Sequence, residues 1–576
     1  MAGFVIRGAT IIDGTGAAPV VGDVGVRDGR ITFVGSGDGS GLEEIDGAGL
    51  MLTPGFVDPH THYDAQLAWD PTASPSNLHG VTTVIGGNCG FSIAPLGDED
   101  ADYIRRMMSV VEGMPLEALE QGVDWSWRSF GDWLGGMDGK TAVNAGFLVG
   151  HCALRRTVMG DRAVGNEATD AEVEAMRALL RESIVAGGLG LSSSRSFTHR
   201  DGDGEPVPSR AASEDELLAL CDVTGEHEGT TLEFITDGCL HGFQDAEVDL
   251  MARMSLRAER PLNWNVFTID SKEPDRFANQ LGAQESAAER GAEVVALTMP
   301  TLVGLTMSFR TYSPIHQLPG WMAVLSLPLP ERMAELRKPE VREKLQAGAK
   351  SPEAGVFARV ADWPNFRIGE TYSKANEGLT GRLVKEIAAE RGQSDFDTLV
   401  DIVLEDELRT VLWPDPPDGD AASWELRRQA WENGHTLLGG SDAGAHLDRM
   451  CGAPYTTDFL ADCLRGQKLW PVEKAVEALT DRPARLFGLR DRGRIAEGYH
   501  ADLVLFDPDE IGSGMIHERK DLPGDSARLF AESTGIRRVF VNGEAIVVDG
   551  EPTDALPGKI IRSGADTETV RIPAAR

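Results

Sequence analysis

Residues 55–64 read GFVDPHTHYD, an apolar run that ends on two histidines one residue apart and an aspartate. If this run is a strand, side chains two apart point the same way, so His60 and His62 share one face at its C-terminal end. With 12 histidines in 576 residues, chance also produces such pairs, and the meaning of this one depends on what surrounds it.

Seven further apolar runs follow: VTTVIGGNCG (81–90), TAVNAGFLVGH (141–151), GGLGLSSS (187–194), TTLEFITDG (230–238), PLNWNVFTI (261–269), EVVALTMP (293–300) and HTLLGGSDAG (435–444). Helical signals lie in the gaps between them. TDAEVEAMRALLRESIVAGG has Thr169 to cap it and Gly187 to stop it, and SEDELLALCDVTGEHEG carries a capping-box spacing from Ser213 to Glu216. Strand and helix alternating over eight units predict an α/β fold of the (β/α)8, TIM-type barrel class over 55–487, with its chemistry at the C-terminal strand ends. The gap between the seventh and eighth runs is too long for one crossover. It predicts an insertion over 302–430 near the barrel mouth, placed as a lid or substrate wall.

The two ends of the chain have a different style. Short alternating runs with an Asp28-Gly29 turn at one end and an Asn542-Gly543 turn at the other predict β-hairpins. We read them as one small β-sandwich domain built from residues 1–54 and 488–576.

Composition narrows the function classes. The chain is 41% hydrophobic and 25% charged, as a large globular core requires. It carries 91 Asp plus Glu against 55 Lys plus Arg, a formal charge of −36, which argues against nucleic acid and anionic membranes as partners. A small-molecule substrate is the expected partner, and oligomerisation stays open. The six cysteines include no Cys-x-x-Cys pair and are expected to be reduced. There is no basic segment followed by a long apolar core at the N-terminus and no run of 18 apolar residues, so the expected location is cytoplasmic. The glycines of GTGAAP and GSGDGSG lack the strand-to-helix context of a dinucleotide site.

In a barrel, the polar residues at the strand ends converge. His60 and His62 end the first strand, Cys89 the second, His151 the third and Ser192 to Ser194 the fourth. Glu233 lies on the fifth, Asn263 and Asn265 on the sixth, and Asp442 on the eighth. Two imidazoles, a thiolate and a carboxylate suit zinc, which accepts N, S and O donors and keeps an open position for water in catalytic sites. Zinc lowers the pKa of its water and polarises a carbonyl; a carboxylate beside it can carry a proton to a leaving amine, the role for which Asp442 is positioned. Glu233 fits three readings: metal ligand, substrate contact or paired barrel carboxylate. His151, Ser193, Asn265 and His446 are candidate substrate contacts, with a structural histidine as the competing reading for His151 and His446. Arg195, His199 and Arg210 lie in one polar loop that can bind a substrate carboxylate or be solvated.

HTHYD, VIGGNCGFSIAPL, VGHCALR, GLGLSSS, GGSDAGAHLD and EGYHADLVLFDP, in this order, resemble the N-acyl-D-amino-acid deacylases (D-aminoacylases) of the amidohydrolase superfamily over nearly the whole chain. The resemblance implies a (β/α)8 barrel with a small β-domain and zinc-dependent hydrolysis of an N-acyl amide to a carboxylate and an amine. By motif, His60 and His62 match the His-x-His ligands, Cys89 the cysteine ligand, and Asp442 the ligand and general acid/base.

The chain departs from that family at two strands. The family's metal-binding histidines on the fifth and sixth strands are absent from TTLEFITDG and PLNWNVFTI, and no lysine lies near the fourth strand end for a carbamylated bridge. One zinc ion is therefore expected, held by His60, His62, Cys89 and Asp442, with Glu233 as a substitute ligand. Two alternatives accompany this reading: the same metal site acting on a cyclic amide, imide or lactone or in a non-hydrolytic reaction, and a barrel that only binds a small molecule or protein.

Overall fold

A computed structural model describes residues 3–37, 39–310, 313–416 and 418–575. The remaining positions, 1, 2, 38, 311, 312, 417 and 576, belong to the expected small domain and insertion and lie outside the described residues. All eight apolar runs contain strands, and all are buried.

The strands form two parallel arrays. In one, Phe56–Asp58 pairs with Val81–Gly86, and that strand with Asn144–Phe147. In the other, Val149–Gly150, Gly190–Ser194, Thr231–Ile235, Leu262–Trp264, Val294–Thr298 and Thr436–Leu438 pair in that order. The third run is divided between the arrays: Asn144–Phe147 pairs with the second strand and with Ile560–Ile561 near the chain's end, whereas Val149–Gly150 pairs with the fourth strand. Continuous apolar runs such as VTTVIG, buried at every position, are what parallel strands covered on both faces require.

Backbone hydrogen bonds also connect the first and last strands. The Asp442 N–H donates to the His60 carbonyl at 3.2 Å and the His62 N–H to the Ala443 carbonyl at 2.8 Å. Buried Asp58 reinforces the junction. Its Oδ1 accepts the N–H of His60 (3.3 Å) and of Ser441 (3.4 Å), and its Oδ2 accepts the Ser441 hydroxyl.

The helices start as their sequences predict, with one instructive difference. Thr169 and Glu172 complete a capping box on Asp170–Val185. Ser213 caps Glu214–Gly225 through the Glu216 N–H at 3.2 Å, yet the Glu216 side chain does not reach back to close the box. It turns inward to bind His151 and Arg155, because two buried cationic or polar partners outweigh a solvated cap.

Strands from both termini share one nine-stranded sheet, in which Leu503–Phe506 pairs with Met51–Pro54 on one side and Ile536–Val541 on the other. Asp28 and Gly29 have φ of 51° and 76°, and Asn542 and Gly543 48° and 80°, the left-handed pair that tight hairpins between twisted strands demand. Phe4, Ile6, Val24, Leu52, Leu503 and Phe540 are buried in one cluster on this sheet.

Residues 302–420 with 448–450 form a second compact unit, around a core that includes Trp321, Trp363, Phe366 and Phe396. This unit is shorter than the 302–430 insertion expected from sequence. Helix Ala421–Glu432 belongs to the larger unit, because Ala430 and Trp431 are buried in the main core.

Candidate metal centre

The parallel strands deliver His60, His62 and Cys89 to one place. His60 and His62 follow Phe56–Asp58, and Cys89 lies beyond Val81–Gly86. One donor atom from each, all buried, falls within 4.8 Å of the others. The two rings are 5.3 Å apart and inclined at 70°. Cys89 adopts φ of 57°, a left-handed backbone that costs energy for a residue with a Cβ. Glu233 stabilises that turn: its Oε2 accepts the Cys89 N–H at 2.9 Å.

His60 Nε2 is the crowded atom. Cys89 Sγ lies 3.5 Å away, Asn265 Nδ2 3.2 Å and Asp442 Oδ1 3.3 Å. A single imidazole nitrogen has one lone pair or one proton and cannot satisfy three neighbours. Asp442 Oδ1, which is also 3.8 Å from His62 Nε2, is left without a hydrogen-bond partner, as are Asn265 Oδ1 and Glu233 Oε1. Buried orphan acceptors around neutral imidazoles are the arrangement that a cation completes.

The electrostatics agree. Burial pushes His60 down to about 3 and His62 well below its ordinary value, so both rings are neutral and have a lone pair to give. Burial pushes the Cys89 thiol and the Glu233 carboxyl well up, and Asp442 up to about 7. Anions are costly here unless a positive charge compensates them. The donor set of two imidazoles, a thiol and a carboxylate fits zinc.

The other expected site residues divide. Asn265 is in the cluster. Glu233 bonds the Cys89 backbone through Oε2 and is not one of the three converging donors, while its Oε1 has no hydrogen-bond partner. His151 and Ser193, expected as substrate contacts, are bound to each other: His151 Nδ1 meets Ser193 Oγ at 2.8 Å and Nε2 meets Glu216 Oε1 at 2.8 Å, while Arg155 holds the same carboxylate at 2.5 Å. Both ring nitrogens are taken and all four residues are buried, so they form an internal brace for the third and fourth strands. Arg195 is half-buried with its guanidinium on the Ala212 carbonyl. His446 is half-buried, with φ of 52°.

Two further residues border the site, one of them, Glu112, with no signal in the sequence. Glu112, just beyond helix Ala101–Val111, is 3% exposed and brings its Oε1 to 3.5 Å from His62 Nδ1. No motif marks it, since it comes from a crossover and not from a strand end. His199 packs against Phe91 with centroids 5.1 Å apart and the rings tilted at 57°, and meets Ser194 Oγ through Nδ1 at 2.7 Å, which puts it beside the second and fourth strand ends.

With this geometry, the comparisons with known proteins are informative. The profile of the amidohydrolase family matches residues 43–547. The chain is 32% identical to an N-acyl-D-aspartate deacylase of Alcaligenes xylosoxydans xylosoxydans, over 98% of this chain and 95% of that protein. A solved D-aminoacylase is similar over 97% of this chain and 99% of its own, with 26% identity and a TM-score of 0.63. A further D-aminoacylase structure, described for a binuclear metal centre with one-metal activation and second-metal attenuation, is 27% identical over the same shares, with a TM-score of 0.61. Among the described residues, no helix is long and apolar enough to cross a membrane. The chain belongs to the amidohydrolase family.

Proposed function

We propose that this protein is a metal-dependent amidohydrolase that cleaves the acyl amide of N-acyl-D-amino acids, using one zinc ion held by His60, His62 and Cys89 with Asp442. The observation that carries the reading is the convergence of three buried donor atoms within 4.8 Å, with a partnerless carboxylate oxygen beside them. The eight parallel strands then close as a (β/α)8 barrel through the Asp442-to-His60 and His62-to-Ala443 backbone bonds, with residues 1–54 and 488–576 supplying the small β-domain. Kinship with an N-acyl-D-aspartate deacylase and with D-aminoacylases supports the substrate class.

When bound, the ion supplies Lewis acidity to the amide carbonyl and acidity to a water. The protein supplies the rest. His60 and His62 present neutral nitrogens, Cys89 a soft donor, and Asp442 a carboxylate that takes the water's proton at Oδ1 and passes it to the leaving amine. A second ion would find no imidazole on this side, because Glu233 lies on the fifth strand, Asn263 on the sixth and Asn265 just beyond it. Amide oxygens are weak zinc ligands beside imidazole.

The test is to assay purified protein against paired N-acyl-D- and N-acyl-L-amino acids, with zinc content measured in the same preparation. Zinc-dependent release of the D-amino acid supports the reading. Full turnover in metal-free protein, or hydrolysis of cyclic amides or lactones in preference to N-acyl-D-amino acids, overturns it.

A further inference from the structure

The two histidines of the pair are not equivalent. His60 Nδ1 is buried without a hydrogen-bond partner, and its Nε2 faces Cys89, Asn265 and Asp442. His62 Nε2 faces Asp442 Oδ1 at 3.8 Å, while on the opposite edge of the ring its Nδ1 faces Glu112 Oε1 at 3.5 Å. That nitrogen is buried and makes no hydrogen bond among the described residues, and the Glu112 carboxylate is the charged group that faces it.

Glu112 is in an electrostatically awkward place. It is the residue that closes helix Ala101–Val111, with its N–H on the Met108 carbonyl, so its carboxylate sits at the negative end of the helix dipole. It is also buried. A carboxylate with two such penalties needs compensating partners, and the Nδ1 edge of the His62 ring, 3.5 Å away, is one polar group that the geometry brings to it. An imidazole that ligates through Nε2 must keep its proton on Nδ1, and an acceptor opposite Nδ1 fixes that tautomer and the ring's orientation.

The backbone of the same residue makes a second link. The Glu112 carbonyl accepts the N–H of His446, at the end of the turn that begins with Asp442. Asp442 and His446 both adopt φ of 52°, a left-handed conformation that surrounding contacts must hold in place for residues other than glycine. Glu112 thus touches both His62 and the segment that carries Asp442.

We propose that Glu112 is a positioning residue of the metal centre: its carboxylate holds the proton on Nδ1 of His62 so that Nε2 faces the ion, and its carbonyl anchors the Asp442 turn. This rests on the metal site proposed above.

The experiment compares wild type, Glu112→Gln and Glu112→Ala by zinc-chelator competition, alongside the melting temperature of each metal-free protein and kcat and KM at saturating zinc. Glu112→Ala is expected to weaken zinc binding about 10- to 100-fold, with one zinc still bound at saturation. Glu112→Gln, which keeps an acceptor oxygen, is expected to recover part of that loss. The metal-free melting temperatures are expected to stay together, and kcat to fall more than KM rises. Wild-type zinc affinity in both variants, or a metal-free Glu112→Gln that melts well below wild type with unchanged affinity, overturns the proposal. Wild-type protein that binds no zinc overturns the metal site itself, a result visible before any variant is made.

Discussion

Two arcs of strand ends, drawn from the two parallel arrays, have opposite characters. At the ends of strands one, two and eight, Cys89 Sγ lies 3.5 Å and Asp442 Oδ1 3.3 Å from His60 Nε2. Strands five and six, at the same level of the sheet where Glu233 aligns with Asn263, offer a carboxyl and amides with no imidazole between them. The first arc has more donors than hydrogen bonding can satisfy. In the second, Glu233 and Asn263 each spend one polar atom on the local backbone: Glu233 accepts from Cys89, and the Asn263 amide donates to the Leu232 carbonyl. In this chain one set of strand ends leaves its donor atoms converging without partners, and another turns its polar atoms to holding the neighbouring backbone.

The largest expected effect falls on the first arc. Asp442→Asn keeps the side chain's shape and removes the proton acceptor, and turnover of an N-acyl-D-amino acid is expected to fall about a thousand-fold, measured by amine release at saturating zinc. Near-normal turnover would remove Asp442 from the chemistry. Cys89→Ala comes next: losing the soft donor is expected to weaken zinc binding at least about tenfold while His60 and His62 retain the ion at high concentration, as chelator competition can measure. An unchanged affinity would make Cys89 a packing residue.

On the second arc the expected effects are smaller and structural. Glu233→Ala strands the buried Cys89 N–H and is expected to cost about 1–3 kcal/mol of stability in denaturant unfolding, whereas Glu233→Gln retains an acceptor and most of that stability. Zinc stoichiometry should remain one per chain in both; a drop to none would restore Glu233 as a ligand. The smallest effect is expected from Asn265→Ala, with zinc affinity changing less than about fivefold because an amide is a weak ligand. A larger loss would show that the two arcs share the ion.

Much of this arrangement was legible in the sequence, for identifiable reasons. The strands within the eight apolar runs are buried on both faces, so their composition betrays them, and His60, His62, Cys89 and Asp442 lie towards run ends where a barrel collects chemistry. The hairpins were legible because Asp28-Gly29 and Asn542-Gly543 encode a backbone conformation directly. Side-chain choice was less so. Nothing in SEDELL says that Glu216 abandons its helix cap for His151 and Arg155, and His151 was read as a substrate contact because sequence carries no record of who occupies its nitrogens. Glu112 carries no such mark, because its contact with His62 joins a crossover residue to a strand end 50 positions earlier in the chain. The division of the third run between two pairings, with Ile560–Ile561 alongside it, likewise depends on a contact more than 400 residues away in the chain, which no local pattern encodes.

Whether one ion, held on the first arc alone, makes the site active is decided by titrating metal-free protein with zinc while following release of the amino acid from an N-acyl-D-amino acid. Activity is expected to rise in proportion to added zinc and to level off at one equivalent per chain. Activity without metal, or a rise that continues to two equivalents, would contradict the one-ion site.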